Sequence, residues 1–298
     1  MHPLGRVSDV QRRQMTTSDH ANVYNIALEG TFDDAQSIVK ALFADTDFAK
    51  KISLTAVNSI NFARIAAQSV YYLTATAALG RPATFVVPTG NFGDIFAGEA
   101  AWRMGLPIER LVIATNSNDI MARALNEGVY ASGDAHPTLS PSMDIQVASN
   151  FERALFEACD RDAGWLAAAM KDFTRERRLA IPQEVLAALR ARYTAFAEDD
   201  VATIAAIKAT KDRTGRIIDP HTAVGVAAAG ELAVGPGPVV ILSTAHPAKF
   251  PDAVARAIGA PPPVPIRLQG LETLPERVET LPKNLPLIRD FISSRLEA

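Results

Sequence analysis

Ala83-Thr84-Phe85-Val86-Val87-Pro88-Thr89-Gly90-Asn91-Phe92-Gly93-Asp94 is the stretch on which the fold turns. Its first five residues form a largely apolar run, the kind buried on both faces of a parallel sheet. Gly90 and Gly93 follow, so the backbone can turn sharply and approach a bound group closely. Helix-forming residues then run to about Met104 and end at Gly105. A helix that opens in this way presents free N–H groups and the positive end of its dipole, which favours a phosphate. A plain tight turn accounts for the same pattern. The stretch is neither a dinucleotide fingerprint nor a nucleotide-binding P-loop, because G-x-G-x-x-G and the G-K-[ST] ending are both missing.

The same strand–turn–helix cycle extends in both directions. Upstream, Asn22–Leu28 reads as a strand. Thr31 and Asp34 have capping-box spacing for a helix with Val39, Leu42 and Phe43 on its apolar face, and Asp33 and Asp34 suit its positive end. Ile52–Val57 reads as a second strand, and a long helix is predicted from about Phe62 to Leu79, stopped by Gly80 and Pro82. Downstream, Arg110–Thr115 reads as a strand, Asn118–Leu125 as a helix, and Ser149 with Glu152 as a second capping box. From about Asp162 to Asp212 the sequence is alanine-rich, charged and reads as helical, with a new helix starting at Pro182. Pro238–Leu242 reads as a final buried strand, followed by a helix over Pro251–Ile258. A short amphipathic helix carrying Ile288, Phe291 and Ile292 closes the chain. Strands alternating with helices imply an α/β fold of parallel sheets with flanking helices.

Composition narrows the function classes. The chain has 298 residues, 48% of them hydrophobic and 21% charged, ordinary for a globular protein of one large or two modest domains. A net charge of −3 offers no basic field for nucleic acid or anionic lipid, which leaves a small molecule as the expected partner. The one cysteine, Cys159, excludes an internal disulfide framework and suits a reducing cytoplasm. No apolar signal core opens the chain and no uninterrupted apolar run reaches the roughly 18 residues needed to cross a bilayer, so no membrane span is expected. No metal site is expected either.

Two further polar clusters sit where an open α/β sheet places ligands, beyond the carboxyl ends of strands, and a third stands at a turn. Ser243-Thr244-Ala245-His246-Pro247-Ala248-Lys249-Phe250 follows the last strand. Thr244 can exchange hydrogen bonds and His246 can titrate near neutral pH, or the pair can be a cap and a structural histidine. Asn58-Ser59-Ile60-Asn61 can grip a carboxylate or simply cap the next helix. Asp219-Pro220-His221-Thr222 is a turn and N-cap by default and the edge of a site by hypothesis. Arg6 can meet a phosphate or lie, with Arg12 and Arg13, on a solvated face.

These clusters occur in order with Gly5-Arg6-Val7-Ser8, Gln11–Thr17, Glu29–Asp34, Ala114-Thr115-Asn116, Ser140–Ile145 and Ser149–Arg153. Together they resemble the threonine synthase family, over nearly the whole chain and corresponding to the C-terminal two-thirds of its members. The resemblance implies fold type II of the pyridoxal 5′-phosphate (PLP) enzymes, incomplete at the N-terminus. Residues 1–75 would be the remainder of a smaller α/β domain, and 76–298 a larger α/β domain with a helical insertion at about 150–215. The implied reaction is a lyase step of threonine biosynthesis, O-phospho-L-homoserine and water giving L-threonine and phosphate. Gly90, Asn91, Phe92, Gly93 and Asp94 would cradle the cofactor phosphate. Thr244 would face the pyridine nitrogen, where a neutral hydroxyl, unlike a carboxylate, does not hold that nitrogen protonated. Asn58, Ser59 and Asn61 would lie near cofactor and substrate.

One part of the family pattern has no counterpart. The Schiff-base lysine belongs to a Phe-Lys-Asp type segment upstream of where this chain begins. The lysines present are Lys40, Lys50, Lys51, Lys171, Lys208, Lys211, Lys249 and Lys283. Lys171-Asp172-Phe173 and Lys211-Asp212 imitate fragments of that segment within the charged helical region and read as surface residues. No catalytic residue is therefore assigned, and the chain reads as a fragment, a split-gene product or a truncated gene product. The alternatives are a related PLP lyase such as a threonine dehydratase, or a degenerate PLP-binding or interaction protein without catalysis.

Overall fold

A computed structural model describes residues 1–55, 61–232 and 237–296. The chain divides into two compact units, one of Met1–Ala56 with Pro263–Ala298 and one of Val57–Pro262.

The first unit opens with strand β1 (His2–Pro3), helix α1 (Asp9–Thr16), strand β2 (Ile26–Glu29) and helices α2 (Phe32–Ala44) and α3 (Thr46–Lys51). The strand expected at 22–28 is shorter and shifted, because its partners pair only with residues 26–29. The capping box is present at α2: the Asp34 N–H donates to Thr31 Oγ1 at 3.2 Å and the Thr31 N–H to Asp34 Oδ2 at 2.8 Å. The strand expected at Ile52–Val57 is absent over its described part. Instead the N–H groups of Ile52, Ser53 and Leu54 turn back to the carbonyls of Phe48, Lys50 and Ala49, with Ser53 at a φ of 52°. Closing the end of α3 uses the donors that a sheet ladder needs. Residues 56 and 57 lie outside the described residues.

The second unit starts with α4 (Phe62–Leu79), whose limits match the sequence reading. Asn61 caps it, Gly80 ends it at a φ of 66°, and Ile65, Ser69, Tyr72 and Thr76 form its buried face. Then come β3 (Ala83–Pro88), α5 (Gly93–Arg103), β4 (Ile108–Thr115), α6 (Ile120–Glu127) and β5 (Val129–Ala131). Helices α7 (Phe151–Ala158) and α8 (Ala163–Glu176), strand β6 (Arg178–Ala180), helix α9 (Gln183–Arg192), strand β7 (Tyr193–Ala197) and helix α10 (Asp200–Thr214) follow. The unit ends with α11 (Pro220–Glu231), β8 (Val239–Ile241) and α12 (Pro251–Ile258).

Its central sheet is parallel throughout, in the order β7-β4-β3-β8. The alternation of side chains sorts the core. Phe85, Val87, Leu111 and Ile113 join one buried cluster with Ile65, Tyr72 and Ile95, whereas Val86, Val112 and Ala114 join another with Val224 and Ala228. Both faces are covered, as the apolar run at 83–87 requires.

Two expectations for this unit need correction. The alanine-rich stretch is not helical throughout: β7 pairs with β4 from Leu111↔Tyr193 to Thr115↔Ala197, and β6 pairs antiparallel with β5. Tyr193 and Ala195 are buried on one face, so an aromatic, alternating segment prevails over its helical surroundings. The second capping box does not form either. Asn150, not Ser149, precedes α7, and it makes no side-chain cap: its Oδ1 accepts from Arg153 Nε at 3.1 Å while its Nδ2 donates to Asn91 O.

The tail returns to the first unit with β9 (Glu279–Pro282) and α13 (Leu285–Leu296). β9 pairs parallel with β2, giving the sheet order β1-β2-β9, and Ile288 of α13 is fully buried with Leu28, Leu42 and Phe48. The sequence places this tail in the larger domain and the division near residue 75, and both differ from the structure. β9 supplies a strand that β2 otherwise lacks, which is why 263–298 goes with the N-terminal residues.

Candidate functional site

The second unit brings two of the sequence clusters together. β3 and β8 are neighbours, though they lie far apart in the chain, which passes through β4 and β7 on the other side of β3 in between. Such a switch in strand order opens a crevice beyond the carboxyl ends, where α/β folds bind ligands. The loop at 89–92 leaves β3 at that end, and Ser243 and Thr244 leave β8 beside it.

The loop is held from behind. The Thr89 N–H donates to Ala114 O at 2.7 Å and its hydroxyl to Val87 O at 2.6 Å. Asn91 O accepts from both the N–H (3.0 Å) and the side-chain amide (3.2 Å) of buried Asn150. At Gly90 a side chain is excluded, since an added Cβ would stand 2.9 Å from the backbone oxygen of Ser142. Phe92 takes a left-handed φ of 67°, an uncommon conformation for a non-glycine residue, with its ring buried against Phe151 and Tyr193.

Helix α5 opens toward this crevice. The Gly93 N–H is taken by Asn91 Oδ1 at 3.0 Å. The next two N–H groups, of Asp94 and Ile95, find no acceptor among the described residues, as expected in a first helical turn. An acidic residue at this position would oppose an anion. The Asp94 side chain is drawn aside, however: Tyr71 donates to Oδ1 at 2.5 Å, and Tyr72 donates to Oδ1 at 3.2 Å and to the Asp94 carbonyl at 3.0 Å. Burial pushes the Asp94 carboxyl above its ordinary value, against the tyrosine bonds and the charge of Arg64, which act to lower it. Burial also pushes both tyrosine hydroxyls well up, so they remain donors. The result is an anion-ready helix end with its carboxylate turned away.

The wall at β8 is more open. Ser243, Thr244 and His246 are exposed. The Thr244 N–H donates to Thr222 Oγ1 at 3.2 Å, which fixes its backbone and leaves its hydroxyl available to a ligand. His246 takes its structural reading, its Nδ1 accepting from the Ala248 N–H at 3.1 Å at the start of a short 3-10 helix. Asn61 caps α4 through the Ala63 N–H at 3.0 Å. Asn58 and Ser59 lie outside the described residues. Arg6 is exposed in the first unit. Lys171 lies on an exposed face of α8 and Lys211 is half-buried on α10. No described lysine lies in the segments 88–94 or 243–248.

Several residues that support the candidate site lie in segments the sequence singles out without showing how they act. Asn150, Ser142 and Asp219 work through backbone atoms or behind the visible motif. A buried polar network beyond β4, in which Asp144 accepts from Thr138, Asn116 and Asn118 at 2.6–3.1 Å, fixes the loop that carries Ser142. The clue to it is the density of Asn, Ser, Thr and Asp between 115 and 150, more than turns alone demand.

Comparison with known proteins gives the family. A profile of pyridoxal-phosphate dependent enzymes matches residues 5–191, and the chain belongs to that family. Within it the chain groups with the threonine synthases, whose C-terminal profile matches residues 222–292. It is 48% identical over 301 residues to a Pseudomonas aeruginosa threonine synthase, covering 98% of this chain and 64% of that protein. The crystal structure of PLP-bound threonine synthase from Brucella melitensis superposes with a TM-score of 0.93 at 47% identity, covering 99% of this chain and 64% of that one. A yeast threonine synthase structure gives 0.87 at 36% identity, with the same coverage. The chain thus spans about 64% of the length of the relatives it matches. The fold is the type II fold of PLP enzymes, as the motifs implied. Among the described residues no helix is long and apolar enough to cross a membrane.

Proposed function

We propose that this chain carries the cofactor-binding part of a cytoplasmic threonine synthase, which converts O-phospho-L-homoserine and water into L-threonine and phosphate. The observation that carries the reading is the pairing of an anion-ready helix end after β3 with Thr244 after the adjacent β8. The residues fit PLP: Gly90, lacking a side chain, lets the loop lie against the Ser142 backbone, and the N–H groups of Asp94 and Ile95 stand at the positive end of the α5 dipole, where a phosphate would bind. The Gly90–Asp94 backbone binds that phosphate, while Tyr71 and Tyr72 keep the Asp94 carboxylate from opposing it. The Thr244 hydroxyl orients the pyridine ring without fixing a charge on its nitrogen. Asn58, Ser59 and Asn61 supply hydrogen bonds toward the substrate. Bound PLP supplies the electron sink through which a Cγ–O bond is broken and water is added at Cβ.

An N-terminal segment supplies the Schiff-base lysine and the proton transfers that lysine performs. Two features support a covering segment. Val70 and Leu73, three residues apart on one face of α4, are 54% and 40% exposed. The outer edge of β8 has no partner strand among the described residues, and Val239 is exposed. The test is to join the N-terminal third of the Pseudomonas aeruginosa relative to this chain and assay phosphate release and threonine formation. The joined protein forms threonine and the chain alone does not. Threonine formation by the chain alone overturns the missing-lysine reading. A folded joined protein that binds PLP yet forms no threonine overturns the activity and favours a binding protein without catalysis.

A further inference from the structure

Asp219 has a larger task than its motif suggests. It is the N-cap of α11, and an N-cap needs one oxygen accepting from one or two backbone N–H groups. Here Oδ1 does that, accepting from the N–H of His221 at 2.9 Å and of Thr222 at 3.4 Å. The carboxylate also bonds two side chains. Oδ1 meets His221 Nδ1 at 2.9 Å and Oδ2 accepts from the Thr222 hydroxyl. Asp219 is fully buried, and His221 and Thr222 are 4% exposed.

Each side chain passes the constraint on. His221 Nε2 accepts the Ser142 N–H at 3.2 Å, so Nδ1 carries the ring proton and donates it to Asp219. The contact between ring and carboxylate is therefore a neutral-donor hydrogen bond, since a doubly protonated ring would aim an N–H at the Ser142 N–H. Ser142 in turn presents its carbonyl to Gly90 so closely that no side chain fits between them. On the other arm, Thr222 Oγ1 accepts the Thr244 N–H at 3.2 Å while its own proton goes to Asp219. The two arms end at the two walls of the crevice.

We propose that Asp219 is a positioning residue of the cofactor site, holding the Gly90 wall through His221 and Ser142 and the Thr244 wall through Thr222. The assignment rests on the PLP reading above. It predicts that one substitution loosens both ends of the cofactor at once, and that each arm can be cut separately.

The test uses the full chain in four forms: wild type, Asp219→Asn, His221→Phe and Thr222→Val. PLP is titrated into each, and amide hydrogen exchange is followed by NMR without ligand. Asp219→Asn weakens PLP binding at least about tenfold, equivalent to about 1.4 kcal/mol, and speeds exchange at Ser142 and Thr244 while amides of β3 and β4 keep their protection. His221→Phe releases Ser142 alone, Thr222→Val releases Thr244 alone, and each weakens PLP less than Asp219→Asn does. If Asp219→Asn does not fold, the two single-arm variants decide: loss of either selective release overturns the role. An Asp219→Asn dissociation constant within about twofold of wild type overturns it, whatever the exchange pattern. So does weakened binding with protection lost uniformly, which marks a merely structural residue. A wild-type chain that fails to bind PLP overturns the cofactor reading itself, and the role of Asp219 with it.

Discussion

Gly90→Ala is the most direct probe of the cradle. The added methyl would stand 2.9 Å from Ser142 O, with Met143 Cα at 3.4 Å. Both neighbours are backbone, and the loop carrying them is fixed by Asn116, Asn118, Thr138 and Asp144, so no side chain can swing aside. The loops must part by a few tenths of an ångström. Overpacking of this kind costs typically about 1–3 kcal/mol. In the free protein the cradle loop can relieve part of that strain by shifting, but binding a phosphate requires the original spacing. The penalty therefore falls mainly on affinity, about 5- to 150-fold weaker for PLP. Titration monitored by PLP absorbance or tryptophan fluorescence measures it, and a urea series on the unliganded chain measures the part that falls on folding. Gly230→Ala is the control. Gly230 sits near the end of α11, and a Cβ added there would have nothing within 4 Å, so the variant should gain stability, by up to about 1 kcal/mol, and bind PLP unchanged. Equal affinity and equal urea midpoints for Gly90→Ala and wild type would refute the cradle geometry.

Other expectations follow from local environments. The Thr31 N–H and hydroxyl, with Lys283, hold the Asp34 carboxyl down at about 2. Its folded value lies below the unfolded one, so its stabilising effect is present above the unfolded value near 3.8 and fades as pH falls through about 2; NMR titration of wild type and Thr31→Ala should show the midpoint rising in the variant. Asp94 has the opposite sign. Its folded value is raised by burial, so its contribution is fully present below the unfolded value and lost as pH rises through the folded one. Asp94→Asn should therefore gain on wild type as pH rises through that window, and parallel urea midpoints at all pH values would count against it. Tyr193→Phe removes a donor to Glu99, a carboxylate only 3% exposed and otherwise held by Arg103 at 2.8 Å. It should cost about 1–3 kcal/mol in urea unfolding and leave PLP affinity unchanged.

The strand and helix of the phosphate motif are legible in the sequence because their causes are local. An apolar run, a pair of glycines and a helix stop at Gly105 each act within a few residues. Helix α4 is legible to the residue because a capping asparagine and a terminal glycine mark its ends. β7 is hidden because its cause is distant: Tyr193–Ala197 becomes a strand only because the edge of β4 awaits it, and the flanking alanines argue for helix. The strand suggested at Ile52–Val57 does not form over its described residues for the converse reason, since its first donors are already committed to closing α3. β9 is hidden as well, its residues Glu279–Pro282 including a proline and only one strongly apolar side chain. At the site, Ser142, Asn150 and Asp219 all lie in segments the sequence singles out, Asp219 as a cap or a site edge; what is not legible is that they act through backbone atoms and neighbouring side chains.

That difference decides how much the loop alone can say about a cofactor. A tight turn before a helix is common, and by itself the Gly90–Asp94 loop decides nothing. What separates a site from a turn is structure that a turn does not need. A turn needs no left-handed Phe92 buried between two rings, and no asparagine amide reaching across to hold Asn91 O. Nor does it need two tyrosine hydroxyls to draw aside the one carboxylate that would repel an anion. Each costs something, in backbone strain or in the burial of polar groups; the rings of Phe92 and Tyr72 also pack in the core beneath the sheet, but that packing requires neither a left-handed Phe92 nor hydroxyls aimed at Asp94. Their common effect is to keep one helix end open and positive near Thr244, as the proposed binding of a phosphorylated cofactor there would require.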